Sequence, residues 1–193
     1  RAVVTMLQGM GGKVDYDETG ALRIEGVSAL QGGTFEVPDD HHEIATFAAI
    51  AAASGGTMSV NSPILAEMPL IMNQLGKLGV QYEMDGTALE IKGWTRKVTV
   101  PFTETLTPKI EAAPWPYFPA DLLPQLIGLG IGCDTPILFW NKVYEGALNW
   151  VPELTKLGAK VTMCDPHRVI VGGSGTLKPG TVESPYIIRV AVG

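Results

Sequence analysis

The sequence is poor in cysteine, in aromatic side chains and in positive charge. Its 193 residues include two cysteines, 7% aromatic residues, and 14 Lys and Arg against 20 Asp and Glu. Cys133 and Cys164 form no C-x-x-C pair and have no histidine pair close by in sequence, so neither a disulfide framework nor a metal-ligand cluster is predicted. The net charge of −6 and the scattered basic residues argue against a nucleic-acid surface, which needs clustered Lys and Arg.

Long apolar runs are also missing. The longest one covers residues 47–53, far short of the roughly 20 residues that cross a bilayer, so no membrane span is predicted. Because unpaired cysteines favour a reducing compartment, we predict a cytoplasmic protein. The chain begins at Arg1 without a methionine, and we expect it to be a domain of a longer protein.

Three stretches of the chain resemble one another, which indicates an internal repeat. They are M-G-G-K-V at 10–14, L-G-V-Q-Y at 78–82 and L-G-A-K-V at 157–161. Each leads through a polar turn into an alternating strand. Self-similarity at a long period indicates a fold assembled from copies of one supersecondary unit.

The repeated unit has the predicted order strand, helix, strand, helix, strand, strand, which is a βαβαββ unit. We place the tail of one unit at residues 1–26, two full units at 27–94 and 95–173, and the start of a further unit at 174–193. Alternating strands and amphipathic helices bury each other, which predicts an α/β fold of the α+β type. The helices should lie inside and the sheets outside, because the strand patterns suit sheets with one wet face.

The hydrophobic pattern predicts the individual elements. Helices are predicted at residues 3–10, 42–53, 63 or 67 to 78, 121–130 and 147–157, and strands at residues 13–16, 22–25, 34–37, 57–60, 97–100, 136–140, 160–163 and 169–171. Acidic residues precede the helix at 42–53, where a carboxylate caps free amides and suits the helix dipole.

Two motifs resemble the enolpyruvyl transferase family. The stretch A-P-W-P-Y-F-P-A-D at residues 113–121, continued to Gln125, is similar to the family pattern A-P-x-P-x-F-P-T-D-x-x-x-Q. The stretch P-D-D-H-H-E-I-A-T-F at residues 38–47 is similar to the family's P-D-R-I-E-x-G-T-F. The resemblance covers nearly the whole chain, but the chain covers less than half of a full-length member.

The resemblance implies one lobe of the two-lobed, inside-out α/β barrel of these enzymes. It implies transfer of the enolpyruvyl group of phosphoenolpyruvate to the 3-hydroxyl of UDP-N-acetylglucosamine, an early step of peptidoglycan synthesis in cell wall biogenesis. The missing second lobe carries the general acid and most of the basic residues that hold the substrates, so the isolated chain should be inactive.

Asp121 is the residue for which the resemblance implies a catalytic role. It matches the family aspartate that accepts a hydrogen bond from the sugar hydroxyl and acts as its base, and a carboxylate within hydrogen-bond reach can take that proton. The position at a predicted helix start leaves a second role open, because Asp121 can also cap the helix.

Val143, Glu145 and Arg189 are further substrate-binding candidates by the same resemblance. Val143 falls where the family uses a backbone carbonyl beside the sugar nucleotide, or it is a buried strand end. Glu145 matches the acidic member of the family's E-N-R, but Gly146 and Ala147 replace the Asn and Arg. Arg189 matches an arginine near the third unit's helix start, or it is a plain surface residue.

Asp40 and Glu43 match acidic positions of the P-D-R-I-E stretch, and His41 falls at its arginine. Adjacent His41 and His42 would point in different directions on a helix, so we predict a solvated helix start and no metal site. The glycine pairs lack the patterns of phosphate-binding loops, and no cofactor is predicted.

A rival function comes from the same residues. Loss of the family arginine at Ala147 is expected in a relative that keeps the scaffold but serves as a non-catalytic binding or assembly module. A third option, action on shikimate 3-phosphate, is disfavoured by the A-P-x-P-x-F-P match.

Overall fold

The computed structural model describes residues 2–101, 103, 105–114, 116–173 and 177–192. The chain divides into two compact units, Arg1–Asp39 and Asp40–Gly193. The repeat boundaries after residues 26, 94 and 173 stay a prediction, because compactness and sequence repetition are different properties. Within the described ranges, no helix is both long enough and apolar enough to cross a bilayer.

The first unit consists of one helix and one hairpin. Helix α1 (Ala2–Gly9) ends at the glycine pair 11–12, where Gly11 takes a φ of 82°, a left-handed conformation that glycine adopts without steric cost. Strands β1 (Lys13–Tyr16) and β2 (Leu22–Glu25) pair antiparallel. These elements confirm the helix and both strands predicted from the sequence.

The strand predicted at residues 34–37 is wrong. This stretch has no regular secondary structure, and three of its four residues are exposed. Its alternating sequence has strand propensity, but a strand forms only where it pairs with another one. No such pairing occurs among the residues whose structure is described.

The second unit contains two sheets, one of three strands in the order β3-β5-β4 and one of four strands in the order β6-β7-β9-β8. The strands are β3 (Met58–Asn61), β4 (Val80–Asp85), β5 (Ala88–Trp94), β6 (Lys109–Ala112), β7 (Ile137–Asn141), β8 (Val161–Asp165) and β9 (Arg168–Val171). Strands β6 and β7 are parallel, and the other neighbours are antiparallel.

Helices fill the space between the two sheets. They are α2 (His41–Ala53), α3 (Pro69–Lys77), α4 (Leu123–Ile131) and α5 (Ile188–Val192), with 3₁₀ helices at Pro63–Glu67, Ala120–Leu122 and Val151–Leu157. Helix α2 packs against α4 and against β5, while α4 packs against β7 and β9. The prediction of helices inside and sheets outside is confirmed.

A second predicted strand, at residues 97–100, is also wrong. Its amides bond singly to the ends of neighbouring elements: Val98 N donates to Asp134 Oδ1 (3.4 Å) and Thr99 N donates to Lys77 O (2.8 Å). The strand of this unit is β6, Lys109–Ala112, a stretch for which the sequence analysis predicts no element. Both stretches alternate, but only β6 lies beside β7.

The helix predicted at residues 147–157 is shorter and of a different type. A 3₁₀ helix covers Val151–Leu157, and turns precede it. Pro152 lies in its first turn, where the ring removes an amide donor. Gly158, with a φ of 89°, ends it.

The three-stranded sheet meets the end of α4 at a close contact between Trp94 and Gly132. The indole Nε1 of Trp94, at the end of β5, donates to Leu78 O (2.8 Å). Gly132 ends α4 so close to this ring that a Cβ there would lie 2.5 Å from Trp94 Cη2. Only glycine lets the helix end pack directly on the indole.

Candidate functional site

The candidate site lies where parallel strands β6 and β7 end. Ala112 pairs with Asn141, and Lys142 N donates to Ala112 O (2.9 Å), so the carboxyl ends of the two strands meet at one edge of the sheet. One loop leads from β6 to Asp121, and another leads from β7 through Val143 and Glu145. Ligands of open α/β sheets bind at such edges, outside the carboxyl ends of the strands.

Asp121 is held in the 3₁₀ helix that precedes α4. The loop before it closes back on β6, because Ala113 N donates to Phe118 O (3.2 Å) and the Phe118 ring is buried. The cap positions of the two helices are Pro119 and Leu122, so the structure does not place Asp121 at an N-cap. Its side chain is 42% exposed and can meet a ligand.

Arg189 forms an ion pair with Asp121. Its Nη1 lies 2.9 Å from Asp121 Oδ2, and its side chain is 50% exposed. Arg189 is carried by α5, which packs against α4. The pair engages one carboxylate oxygen. Among the described residues, no hydrogen bond is found for the other oxygen, Oδ1.

The first turn of α2 adds a third group to this pair. Asp40 is the N-cap, and its Oδ1 accepts from His42 N (2.7 Å). Partial burial raises the pKa of the Asp40 carboxyl, but the His42 amide and the two imidazoles outweigh this effect and hold the pKa below its usual value. The expected acidic cap of this helix is confirmed.

His42 links α2 electrostatically to Asp121 and Arg189. Burial is the largest cause that lowers its pKa, followed by the charge of His41; Arg189 also lowers it, while Asp40 and Asp121 act in the opposite direction. The imidazole is therefore neutral at pH 7. Its Nε2 is buried without a hydrogen-bond partner in the described part of the chain.

The Glu43 side chain faces a different surface from this group, although its backbone amide helps to lower the pKa of Asp40. It lines an apolar surface groove together with Phe47 and Met58. Within the described residues, no ion pair joins it to Arg189.

Among the residues that the structure describes, Asp40, His41 and His42 could hold a metal ion. One ligand atom from each lies within 4.8 Å of the others, and the two ring centroids are 4.3 Å apart, so the expectation that the rings diverge is wrong. The position is nevertheless unfavourable for a cation, because the helix start carries partial positive charge and the Arg189 guanidinium is near.

Val143 and Glu145 lie in the loop after β7. Val143 is half-buried and Glu145 is exposed. Gly146 takes a φ of 71°, and its amide donates to Pro166 O (3.1 Å), which closes the loop onto the β8–β9 turn. In the described residues, no hydrogen bond or ion pair connects Val143 or Glu145 with Asp121. Val143, Glu145 and Asp121 all follow strands that end at the same edge of the sheet.

The sequence analysis missed Asn141 and His42 as site residues. Asn141 is a buried amide (3% exposed) at the end of the otherwise apolar strand β7, and that unusual position was its only sequence signal. The aromatic residues of the 113–121 motif differ in exposure. Phe118 is buried and Tyr117 is 66% exposed, while Trp115 lies outside the described residues.

Comparison with known proteins identifies the family. The profile of EPSP synthase (3-phosphoshikimate 1-carboxyvinyltransferase) matches residues 1–193, and the chain belongs to this family of enolpyruvyl transferases. The resemblance found in the sequence is thereby confirmed.

Within the family, the chain is similar to UDP-N-acetylglucosamine 1-carboxyvinyltransferases. The UDP-N-acetylglucosamine 1-carboxyvinyltransferase of Borrelia garinii subsp. bavariensis is 32% identical over 183 residues, which are 94% of this chain and 43% of the relative. The enzyme of that name from Treponema denticola is 31% identical over 182 residues, with the same coverage of 94% and 43%. The chain thus spans less than half the length of the curated relatives it matches.

Solved structures show the same fold. The enolpyruvyl transferase NikO from Streptomyces tendae superimposes with a TM-score of 0.74 at 19% identity, covering 92% of this chain and 41% of NikO. EPSP synthase from Acinetobacter baumannii gives a TM-score of 0.61 at 18% identity, covering 97% of this chain and 44% of that enzyme. The chain therefore has the fold of one lobe of these enzymes, as the sequence predicted.

Proposed function

We propose that the chain is part of a cytoplasmic transferase that moves the enolpyruvyl group of phosphoenolpyruvate to the 3-hydroxyl of UDP-N-acetylglucosamine in peptidoglycan precursor synthesis. The observation that carries the proposal is the half-exposed Asp121 carboxylate, paired with Arg189 at the carboxyl edge of β6 and β7. The names of the relatives at about 30% identity support the choice of this sugar nucleotide.

The reaction assigns a separate task to each group. Asp121 Oδ1 accepts the proton of the sugar hydroxyl as the hydroxyl oxygen attacks C2 of phosphoenolpyruvate, while C3 takes up a proton from the general acid of the second lobe. The resulting tetrahedral intermediate then loses phosphate from C2 and a proton from C3, which restores the double bond in the enolpyruvyl product. Arg189 orients the carboxylate through the ion pair, and it offers positive charge to an anionic substrate. Asp40 fixes the start of α2 beside this pair. Val143 supplies a backbone carbonyl and Glu145 a carboxylate to the sugar nucleotide. Glu43 has a more distant role at the groove.

The isolated chain should bind the sugar nucleotide without turning it over, since a second lobe is needed to exclude water and to supply the acid. Calorimetric titration with UDP-N-acetylglucosamine tests the binding step, with shikimate 3-phosphate as the competing ligand. We expect binding of the UDP-sugar that Asp121→Asn weakens by about tenfold or more, the loss of one charge-assisted hydrogen bond. Absence of UDP-sugar binding, or equal affinity in Asp121→Asn, would contradict the proposal.

One observation favours the second candidate function, a non-catalytic binding or assembly module. Ala147 stands where the family has an arginine, and it follows a tight turn at Gly146, so this position offers no cation for an oxyanion or phosphate. A phosphate-release assay on the complete parent protein separates the two functions. Turnover that Asp121→Asn abolishes supports the transferase, and UDP-sugar binding without turnover supports the module.

A further inference from the structure

The loop after β7 is held by a side chain that the family motifs do not contain. Asn141 is 3% exposed, and its Oδ1 accepts two backbone hydrogen bonds, from Val143 N (2.9 Å) and from Tyr144 N (3.0 Å). Val143 is half-buried, whereas Tyr144 and Glu145 are exposed. Burial of apolar surface therefore contributes little to the start of the loop, which these two hydrogen bonds hold, while the bond from Gly146 N to Pro166 O holds its far end.

A second set of contacts holds Asn141 itself. Its backbone amide donates to His167 O (2.9 Å), and the His167 Nδ1 lies 2.9 Å from Asn141 O. A carbonyl oxygen only accepts, so His167 carries its proton on Nδ1. Asp165 in turn accepts from His167 N (2.8 Å). The β8–β9 turn is thus a rigid support for the end of β7.

The contact with Tyr144 fixes the direction of the Val143 carbonyl. The N–H of Tyr144 and the C=O of Val143 belong to one planar trans peptide, in which they point in opposite directions. Because the N–H points to the buried Asn141 side chain, the carbonyl must point away from it. The carbonyl is therefore turned out of the protein core at the edge where β6 and β7 end.

We propose that Asn141 is a positioning residue, which orients the Val143 carbonyl toward a sugar nucleotide and is supported by His167. This inference rests on the proposed function, since it names the residue that orients one of the ligand-binding groups of that site. Asn141 itself touches no ligand. It acts through the peptide between Val143 and Tyr144.

The experiment compares Asn141→Leu with Asn141→Asp. Leucine keeps the volume and removes both accepted hydrogen bonds, whereas aspartate keeps an acceptor at the same place. We expect Asn141→Leu to weaken UDP-N-acetylglucosamine binding by about fivefold or more, the factor of one neutral hydrogen bond. Asn141→Asp should restore most of the affinity. In Asn141→Leu, the amides of Val143 and Tyr144 should also exchange with solvent faster, as measured by NMR.

The matched control is Ile91→Val, which removes a buried methylene from the other sheet. It should lower the melting temperature without changing the dissociation constant, which separates loss of positioning from loss of stability. If Asn141→Leu does not fold, Asn141→Ala gives the same comparison.

The outcomes distinguish the two proposals. A wild-type chain that binds the UDP-sugar, with unchanged affinity in Asn141→Leu, overturns the positioning role and leaves the proposed function intact. Unchanged exchange of the two amides overturns it as well. A wild-type chain that does not bind the UDP-sugar overturns both.

Discussion

Arg189 Nη1 lies 2.9 Å from Asp121 Oδ2, and this ion pair joins α5 to the start of α4. Both side chains are about half exposed, so solvent screens the attraction and the pair contributes little to folding. Its geometry nevertheless sets which carboxylate oxygen is left for a ligand. The pair is therefore expected to matter more for binding than for stability.

A double-mutant cycle tests the energy of this pair. Asp121→Asn, Arg189→Gln and the double variant should show a coupling of about 0.2–1 kcal/mol in the free energy of unfolding, the range of exposed ion pairs. Urea denaturation at low salt measures it. Addition of salt should reduce the coupling further, and a coupling of several kcal/mol would mean that the pair is shielded from water.

Asp40 should stabilise α2 as a cap. Asp40→Ala removes the acceptor for His42 N and should cost about 0.5–2 kcal/mol, whereas Asp40→Asn should retain most of the stability. The Asp40 pKa is lowered in the folded chain, so its contribution is present above the ordinary value of 3.8 and is lost as the pH falls below it. Urea titrations of Asp40→Ala and wild type should converge in acid. A constant difference down to the lowest pH would contradict this.

The two cysteines should differ in reactivity. Burial, reinforced by the charge of Asp134, raises the pKa of the Cys133 thiol to about 12, while Cys164 is exposed. Iodoacetamide at pH 8 should label Cys164 alone in the native chain and both cysteines in urea, as read by mass spectrometry. Native labelling of Cys133 would show that the end of α4 opens.

The raised pKa of the Cys133 thiol predicts that the folded chain loses stability in alkali. Cys133 titrates near its ordinary value of 9.0 when unfolded and near 12 when folded. The stabilisation is complete below pH 9.0 and declines as the pH rises toward about 12, because only the unfolded chain releases the proton there. Cys133→Ala should show a shallower decline in denaturant titrations over this range, and an identical decline would contradict the burial of the thiol.

Gly172 should tolerate no side chain. It takes a φ of 108°, and a Cβ would lie 2.6 Å from Gly130 O at the contact of β9 with α4. Gly172→Ala should therefore cost about 1–3 kcal/mol or more. Gly9→Ala is the control, because a Cβ at Gly9 meets nothing within 4 Å. Calorimetric melting compares the two variants, and equal melting temperatures would show that the backbone relaxes at Gly172.

Local patterns predicted the elements whose partners lie close in sequence. The β1–β2 hairpin was predicted at its observed bounds, since its alternation and its turn occur within a few residues. The sequence could not choose between residues 97–100 and 109–112, because both alternate and the choice depends on which one reaches β7. Pairing over long sequence separations leaves no local pattern.

In the candidate site, too, the sequence predicted the residues that carry a local pattern and missed the contacts between distant ones. Asp121 was found because a motif surrounds it, and Asp40 because helix starts favour acidic caps. The sequence did not show which of these groups contact one another in the fold. Arg189 was assigned by a weak match, and nothing in the sequence paired it with Asp121. The Val143 carbonyl has no side-chain signature, and its direction follows only from the hydrogen bonds of Asn141.

The contact between Trp94 and Gly132 limits how the second unit can move. Because the end of α4 rests directly on the indole at the end of β5, no side chain separates these two element ends. The groups carried by α2 and those carried by α4 should therefore keep a fixed spacing. A change in this spacing would require the indole of Trp94 to leave the end of α4.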